Sequence, residues 1–523
     1  AGPTRGFPTP APLPPMAAPN LLRIACLALP LAHLLSAAFH VYCGAMNADE
    51  GFYAIAARSV MAGDLPYRDF GYTQLPLLPY VNGPVLALTG YGLFAQRWLN
   101  ALWAALALLV AVRWVGRRAS WPVALAVAGS FTFLPAWMHY THLGKTYAFT
   151  GLVTALAAWT FVALPGGGRK QFLLGLLGVL GVGCRLPSAP FFAVLWLAAF
   201  WHDGPPRGAK VGVGLAGVVG PTLALFAPFY LLAPEASHFW MFDFHALSVP
   251  FRVWTTNPEE VAGAAPAWWA ALGVLLVLVA LRRGPAFSRE TVVALAALAA
   301  LLPNLLPRGV YVEYATPFLL PLAAAVAIEL HRATRGWSPA GRRTLVAGLA
   351  AAHVAVVPLW ALATGRVDSP ARAGAWLPPH VAPYTFDLRG RLLRARDHVE
   401  RLVPPSQPLL GPNIILAAET GRAVPRAARM GPFSTTAEYD AATARRLNLL
   451  TYPEIESWLA DPQVPLLAFF TTPRVNYAWS VPSFKLQPRE EAERWLGVLR
   501  RDFVVVQQDP DFLLVARPAA LPP

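Results

Sequence analysis

Long apolar segments recur along this chain, and their length constrains the fold more than any other feature. Several approach or exceed the roughly 20 residues that a helix needs to cross a hydrocarbon core. Only 13% of the 523 residues are charged, about half the usual share of a soluble domain. We therefore predict a polytopic α-helical membrane protein with apolar segments at 21–43, 98–115, 121–137, 146–164, 171–184, 189–201, 211–232, 266–282, 291–306, 315–331 and 344–363.

The net charge of +14 follows membrane topology and does not indicate nucleic acid. Arginines cluster in short loops, such as the one holding Arg117 and Arg118, and the positive-inside rule places these loops in the cytoplasm. The alternate loops are acidic and are predicted to lie outside. About eleven spans with a cytoplasmic N-terminus satisfy this alternation. The apolar run 75–94 then begins and ends outside, so we predict a juxtamembrane or re-entrant helix there.

Composition divides the chain into three parts. Residues 1–20 are Pro-rich and are predicted to form a disordered cytoplasmic tail, and 21–365 form the transmembrane domain. A retained first span is favoured over a cleaved signal peptide. Residues 366–523 mix charge with short β-branched runs and predict an α/β domain, placed outside by the odd number of spans. Its strands are expected at 408–418, 464–470, 503–507 and 512–516, and its helices at 389–403 and 488–501.

The first external loop, residues 44–97, is rich in groups that carry chemistry. Asp49 and Glu50 open a predicted helix over 50–62, which Gly63 ends. Asp49 as a helix cap and Glu50 as a partner of the helix dipole would explain both acids structurally. Carboxylates beside a bilayer are costly, however, and tend to be kept for function. With Arg58 nearby, and Tyr72 and Gln74 closing the loop, we favour a functional site that includes these five residues.

Isolated external arginines at span ends suggest phosphate recognition. Arg97, Arg185 and Arg308 each lie in such a position, and a guanidinium stays charged and binds phosphate through a two-pronged fork. An anchoring role at the membrane surface is the alternative for Arg97. Glu313 follows Arg308 in the same external loop and joins the candidate site.

The loop 137–145 places His139 and His142 three residues apart, with Lys145 beyond them. Two histidines at this spacing can ligate a metal, but substrate contact or packing explains them better in the absence of a nearby Cys or carboxylate. The sequence indicates no cofactor and leaves a divalent metal open. The three cysteines, Cys26, Cys43 and Cys184, are predicted to be free thiols, with one bridge between Cys43 and Cys184 as the alternative.

These motifs together resemble the C-type (GT-C) glycosyltransferases, in particular the protein O-mannosyltransferases and the lipid A aminoarabinose transferases. The resemblance rests on residues 40–115, with the Asp-Glu pair, GDLPYRDF, YTQLPLLPY and GYGLFAQR, and continues in RGVYVEYATPFLLPL at 308–322. It implies that Asp49 is the catalytic Asp and that Arg97 is the external Arg before the second span. The chain departs from the aminoarabinose transferases in reading TQLP where they carry Glu-Lys-Pro-Pro, and the missing Lys weighs against lipid A as the acceptor and against aminoarabinose as the sugar.

The resemblance implies transfer of a sugar from a polyprenyl-phosphate donor to a lipid, glycan or protein at the outer face of the cytoplasmic membrane. Such a donor has a good leaving group, so one base and a few cations suffice for an inverting displacement. Two other functions stay open, a transporter or flippase and a polymerase of lipid-linked sugars. Transporters concentrate ionisable groups inside the membrane, whereas here the charges lie in external loops, which favours the enzyme.

Overall fold

The computed structural model describes residues 18–44, 46–133, 135–202, 208–247, 272–273, 276, 288–305, 312–342, 344–345, 348, 387–436, 439–471 and 489–521. The helices up to residue 333 are α1 (Ala18–Cys43), α2 (Glu50–Met61), α3 (Leu77–Thr89), α4 (Leu93–Arg118), α5 (Trp121–Phe133), α6 (Pro135–His142), α7 (Tyr147–Ala163), α8 (Gly168–Cys184), α9 (Ala189–His202), α10 (Gly208–Leu232), α11 (Pro234–His238), α12 (Phe244–Leu247), α13 (Arg289–Leu305) and α14 (Thr316–Ala333).

The apolar segments that the structure describes are helical, as predicted. By length and composition, α1, α4 and α10 are able to cross a membrane. The other predicted spans that are described form shorter helices, and the segment 121–137 is divided between α5 and α6. The predicted spans 266–282 and 344–363 lie largely outside the described residues, as does most of the predicted tail, so the total of about eleven spans stays a prediction.

The first loop contains the helix predicted over 50–62. Helix α2 ends at Met61, and Gly63 follows at φ +93°, a left-handed conformation that glycine adopts without strain. The apolar run 75–94 forms α3 and is broken by Gly90 at φ +97° before α4 begins. These breaks divide the loop into two short helices that precede the long helix α4.

Small residues allow close packing in the helical part. A Cβ added to Gly217 in α10 would lie 2.4 Å from the carbonyl oxygen of Phe172 in α8, and one on Gly175 would lie 2.9 Å from the Gly217 carbonyl carbon. Helices α8 and α10 therefore meet backbone to backbone, as small residues permit in membrane proteins. Helix α4 packs against α1, α5 and α7 through an alanine-rich core.

Ion pairs on the buried carboxylates of Glu290 and Glu329 join the helix ends that the sequence places in the cytoplasm. Arg118 at the end of α4 donates to Glu290 Oε1 at 2.9 Å, and Arg332 near the end of α14 donates to Glu290 Oε2 at 2.8 Å. Arg332 also pairs with Glu329 at 2.6 Å. The predicted cytoplasmic loops therefore meet at one end of α14, and Glu290 and Glu329 compensate part of their positive charge.

Residues 387–521, the C-terminal region, contain both helices and strands. The helices 389–403 and 488–501 and three of the four predicted strands are confirmed. The predicted strand at 408–418 is wrong, because its second half begins the helix Ile415–Thr420. The strand order β3–β5–β4 is antiparallel and includes the predicted closing hairpin. The elements are α15 (Leu388–Leu402), α16 (Ile415–Thr420), β1 (Thr435–Thr436), α17 (Ala441–Arg446), β2 (Leu450–Thr451), α18 (Tyr452–Ala460), β3 (Leu466–Phe469), α19 (Arg489–Asp502), β4 (Val504–Gln508) and β5 (Leu513–Ala516).

The C-terminal region packs on the first loop through a shared apolar core. Phe52 and Ile55 of α2 belong to the same buried cluster as Leu416 and Leu514. The helices also touch through their backbones, since a Cβ on Gly51 would lie 2.9 Å from the Ile415 amide nitrogen. The first loop and the C-terminal region therefore form one packed unit.

Polar contacts fix this interface at two points of the first loop. Arg58 donates to the carbonyl oxygens of Ala417 and Arg422 at 2.9 and 2.7 Å. Glu419 accepts from the Leu93 amide at 2.6 Å, at the first residue of α4. Arg58, which the sequence assigned to the candidate site, is thus an anchor of the C-terminal region.

We expect Arg58→Ala to lower the stability of this interface by about 2–3 kcal/mol, because two carbonyl oxygens lose a charged hydrogen-bond donor. Thermal unfolding of the purified protein in detergent measures the effect. Arg396→Ala is the control, since Arg396 makes an exposed pair with Glu400 in the same region and should cost little. Equal effects of the two substitutions would contradict the anchoring role.

Candidate active site

Asp49 directly precedes α2, but its side chain does not cap that helix. Its backbone is already helical, at φ −73° and ψ −23°, and its carboxylate makes no capping hydrogen bond. Instead Asp49 Oδ2 lies 2.8 Å from Lys145 Nζ, and the side chain is 27% exposed. The structural explanation that Asp49 is a helix cap is therefore not supported, and the carboxylate stays accessible to a ligand.

Lys145 bridges two carboxylates from distant parts of the chain. Besides Asp49, its Nζ contacts Glu313 Oε1 at 3.2 Å, and Tyr147 donates to the same oxygen at 2.7 Å. Burial alone would lower the pKa of Lys145, but Asp49 and Glu313 outweigh it and hold that pKa well above its usual value. Burial would raise the pKa of Glu313, and Lys145 reverses this and lowers it. Lys145 and Glu313 are consequently both charged at neutral pH.

Arg185 lies beside this cluster between two aromatic rings. Its guanidinium carbon is 4.8 Å from the centre of the Tyr147 ring and 4.3 Å from that of Tyr314. The residue is 5% exposed, and among the described residues its Nε has no hydrogen-bond partner. A buried guanidinium with a free donor is suited to an anion such as a phosphate.

Glu50 and Arg97 form a fully buried ion pair next to Asp49. Arg97 donates through Nε and Nη2 to the two Glu50 oxygens at 2.8 and 2.7 Å, and both side chains are 0% exposed. Arg97 Nη1 also donates to the carbonyls of Val41 and Gly44 at 3.0 and 2.9 Å. Glu50 Oε1 accepts in addition from the Gly144 amide at 3.0 Å. The pair ties α2 to α1, α4 and the loop that carries Lys145.

The structure therefore gives Asp49 and Arg97 different surroundings, although the sequence assigned both residues to one site. Asp49 is accessible and lies in the cluster of Lys145, Arg185 and Glu313. Arg97, in contrast, is enclosed, and its Nε, Nη1 and Nη2 all donate to oxygen atoms of the protein. Arg97 is brought close to the Asp49 loop, but as a structural support of Glu50. A role for Glu50 as a partner of the helix dipole does not account for this ion pair.

The two histidines of the 137–145 segment lie in a buried aromatic group. The rings of His139 and His142 are 5.5 Å apart, and the His40 ring is 5.6 Å from that of His142. His142 Nδ1 is 2.9 Å from the Met138 carbonyl oxygen. Within the part of the chain that the structure describes, no group of three or more His, Cys, Asp or Glu side chains is placed to hold a metal ion. The packing explanation is favoured for both residues.

The remaining predicted site residues differ in position. Tyr72 is fully buried against Tyr53, and its hydroxyl has no partner among the described residues. Gln74 is half-buried, and its main-chain oxygen accepts from Tyr67 at 2.7 Å. Arg308 lies outside the described residues. The three predicted free thiols are free in the structure.

Three tyrosines near the cluster were not found from the sequence. Tyr147 contacts Glu313, and Tyr314 stacks with Arg185. Burial raises the pKa of Tyr53, and the negative charge of Asp49 raises that pKa further. Two of these tyrosines could have been found from their neighbours in the sequence, since Tyr147 lies two residues after Lys145 and Tyr314 directly follows Glu313.

The chain shares its fold with ArnT, a GT-C glycosyltransferase, as the resemblance predicted. ArnT from Cupriavidus metallidurans, a lipid A aminoarabinose transferase, matches in its apo state with a TM-score of 0.63 and 16% identity, over 96% of this chain and 99% of that one. The same protein bound to undecaprenyl phosphate matches with a TM-score of 0.61 and 18% identity, over 97% and 100%.

A weaker match is the oligosaccharyltransferase of Archaeoglobus fulgidus in its apo form, with a TM-score of 0.43 and 12% identity, over 89% of this chain and 72% of that one. No protein-family model matches the chain, and no curated protein matches it in sequence. The likeness to ArnT establishes the fold, and the chemistry is argued from the site.

Proposed function

We propose that this protein is an integral membrane glycosyltransferase that moves a sugar from a polyprenyl-phosphate donor to an acceptor hydroxyl. The observation that carries the proposal is the Asp49 carboxylate, which is accessible, does not cap its helix and is held by the buried Lys145. The fold shared with ArnT supports the class, and binding of undecaprenyl phosphate by that protein supports the lipid part of the donor.

In the proposed reaction Asp49 is the general base. The acceptor oxygen forms a bond to the anomeric carbon while the bond from that carbon to the phosphate oxygen breaks. The electron pair of the broken bond stays on the phosphate, and the acceptor proton moves to an Asp49 oxygen. One displacement inverts the anomeric centre. Lys145 holds the Asp49 carboxylate in place before the transfer, because its ammonium lies 2.8 Å from Oδ2.

Cations near Asp49 would receive the departing phosphate. We assign this role to Lys145, which contacts Asp49 and Glu313, and to Arg185, which lies against the ring of Tyr147, itself bonded to Glu313. Arg97 is assigned a supporting role, since a phosphate would have to displace Glu50 from its guanidinium. Arg308 stays a proposed phosphate contact from the sequence alone.

The position of the site supports reaction at the outer face. Asp49, Lys145, Arg185 and Glu313 come from four loops that the charge pattern assigns to the outside, and they meet near the start of α14. Residues of predicted cytoplasmic loops, such as Glu290 and Arg332, meet instead near its end. A helix of 18 residues separates its ends by about 27 Å, close to the thickness of the hydrocarbon core.

We expect Arg185→Lys to weaken binding of the lipid phosphate by roughly tenfold or more, because an ammonium cannot replace two parallel charged hydrogen bonds. Undecaprenyl phosphate is a suitable probe, titrated into the detergent-purified protein. Arg396→Lys provides the control at an exposed site of the same chain. An unchanged affinity in Arg185→Lys would remove Arg185 from the phosphate site.

Lipid analysis of a strain lacking this gene tests the proposed function. Mass spectrometry should show loss of one sugar-modified envelope component and accumulation of its polyprenyl-phosphate sugar. Expression of the wild-type chain should restore the component, and expression of Asp49→Asn should not. Accumulation of donor with restoration by Asp49→Asn would instead favour a transport function.

A further inference from the structure

The Lys145 ammonium lies between two carboxylates in the way that a bound cation does. Its Nζ is 2.8 Å from Asp49 Oδ2 and 3.2 Å from Glu313 Oε1, and its side chain is 5% exposed. Two carboxylates that meet in a poorly solvated site repel each other unless a positive charge compensates them. Here the compensating positive charge is that of a side chain of the protein, Lys145.

We propose that Lys145 is a built-in cation that takes the place of a divalent metal between Asp49 and Glu313, so that sugar transfer needs no bound metal ion. This inference rests on the proposed function. The sequence left a divalent metal open, and these two carboxylates, one of which is the proposed base Asp49, are the oxygen ligands that this cluster would offer to such an ion. The ammonium already occupies the space between them.

The residues present do not fit a divalent cation as well. Mg²⁺ requires carboxylate oxygens at about 2.0–2.1 Å in a near-octahedral arrangement, and no third acidic or histidine ligand completes the group in the described part of the chain. With Lys145 and Arg185 charged, the two cations and the two carboxylates already sum to zero. A divalent ion would add two positive charges beside the Lys145 ammonium. In this poorly solvated site their repulsion would be little screened.

An ammonium in this position can also respond to the reaction. An ammonium has three N–H donors, and two are directed to Asp49 and Glu313. When Asp49 accepts the acceptor proton it becomes neutral and holds Lys145 less strongly. Lys145 then donates to the phosphate oxygen that keeps the electron pair of the broken bond. Glu313 is a positioning residue, because it keeps Lys145 in place and charged after Asp49 is neutralised.

Manganese binding tests the inference independently of turnover. Full-length protein in phosphatidylcholine nanodiscs is titrated with Mn²⁺ and bound ion is followed by electron paramagnetic resonance. The wild type should show no saturable binding. Lys145→Ala should bind one Mn²⁺ saturably, at least roughly tenfold more tightly than any weak association with the wild type, because the opposing charge is gone. Adding Glu313→Gln should abolish that binding, whereas adding Glu400→Gln, at an exposed carboxylate, should not.

A second measurement needs no variant and covers the case in which Lys145→Ala does not fold. Membranes washed with EDTA should form the Asp49-dependent product as fast as untreated membranes. Loss of the product with recovery on Mn²⁺ addition would overturn the inference, as would one Mn²⁺ on the wild type that Asp49→Asn removes. Failure of the proposed function would show differently, as the absence of any Asp49-dependent product in untreated membranes.

Discussion

Replacement of Asp49 by Asn is expected to lower the rate of sugar transfer by about 10²–10⁴-fold, because the amide cannot accept the acceptor proton. The variant should fold and should still bind undecaprenyl phosphate, since Arg185 and Lys145 remain. Transfer in membranes and lipid binding by the purified protein measure the two effects separately. A transfer rate near that of the wild type would exclude Asp49 as the base.

The same chain supplies a matched control for this substitution. Asp440 is a true helix cap, with a side chain that accepts from the Thr443 amide at 2.7 Å. Asparagine caps a helix about as well as aspartate, so Asp440→Asn should change neither stability nor transfer. If both substitutions reduce transfer equally, the loss at Asp49 comes from altered folding and not from a missing base.

The largest effect on stability is expected at the buried pair of Glu50 and Arg97. Arg97→Met or Glu50→Gln alone should destabilise the protein by about 3–5 kcal/mol, because each leaves a buried charge without its partner. The double variant should be less damaged than the sum of the two singles, since it removes both charges. Unfolding in detergent measures all three proteins.

These three variants also decide between two roles for Arg97. The structure places the guanidinium on Glu50 and on two backbone carbonyls, which predicts a loss of stability. The sequence predicted a phosphate contact instead. Normal stability of Arg97→Met together with weaker binding of undecaprenyl phosphate would favour that earlier assignment.

Patterns that are local in sequence predicted local structure well. The apolar lengths predicted the helices, and Gly63 marked the end of α2 because its role depends on backbone conformation alone. The hairpin of β4 and β5 followed from two short apolar runs around a turn. The error at 408–418 has the same origin, since a short buried apolar run fits a helix or a strand equally well, and α16 forms where it packs on α2.

Contacts between distant residues could not be read from the sequence in this way. Asp49, Arg185 and Glu313 were selected because they are polar groups in external loops, and the fold brings them together. Their partners were not predictable, since Lys145 lies 96 positions from Asp49 and 168 from Glu313. Arg58 and Arg97 were selected by the same criterion, yet each pairs with a structural partner. Only the packing distinguishes a charged group that supports the site from one that faces it.

The most direct measurement of the central claim is the phosphorus-31 NMR spectrum of the lipid donor during the reaction. A lipid extract that contains the donor from the deletion strain is incubated with the purified protein and the acceptor fraction. The account predicts that a phosphodiester resonance is replaced by that of a polyprenyl phosphomonoester with the wild type and persists with Asp49→Asn. Persistence of the phosphodiester with the wild type, or its loss with both proteins, would contradict the account.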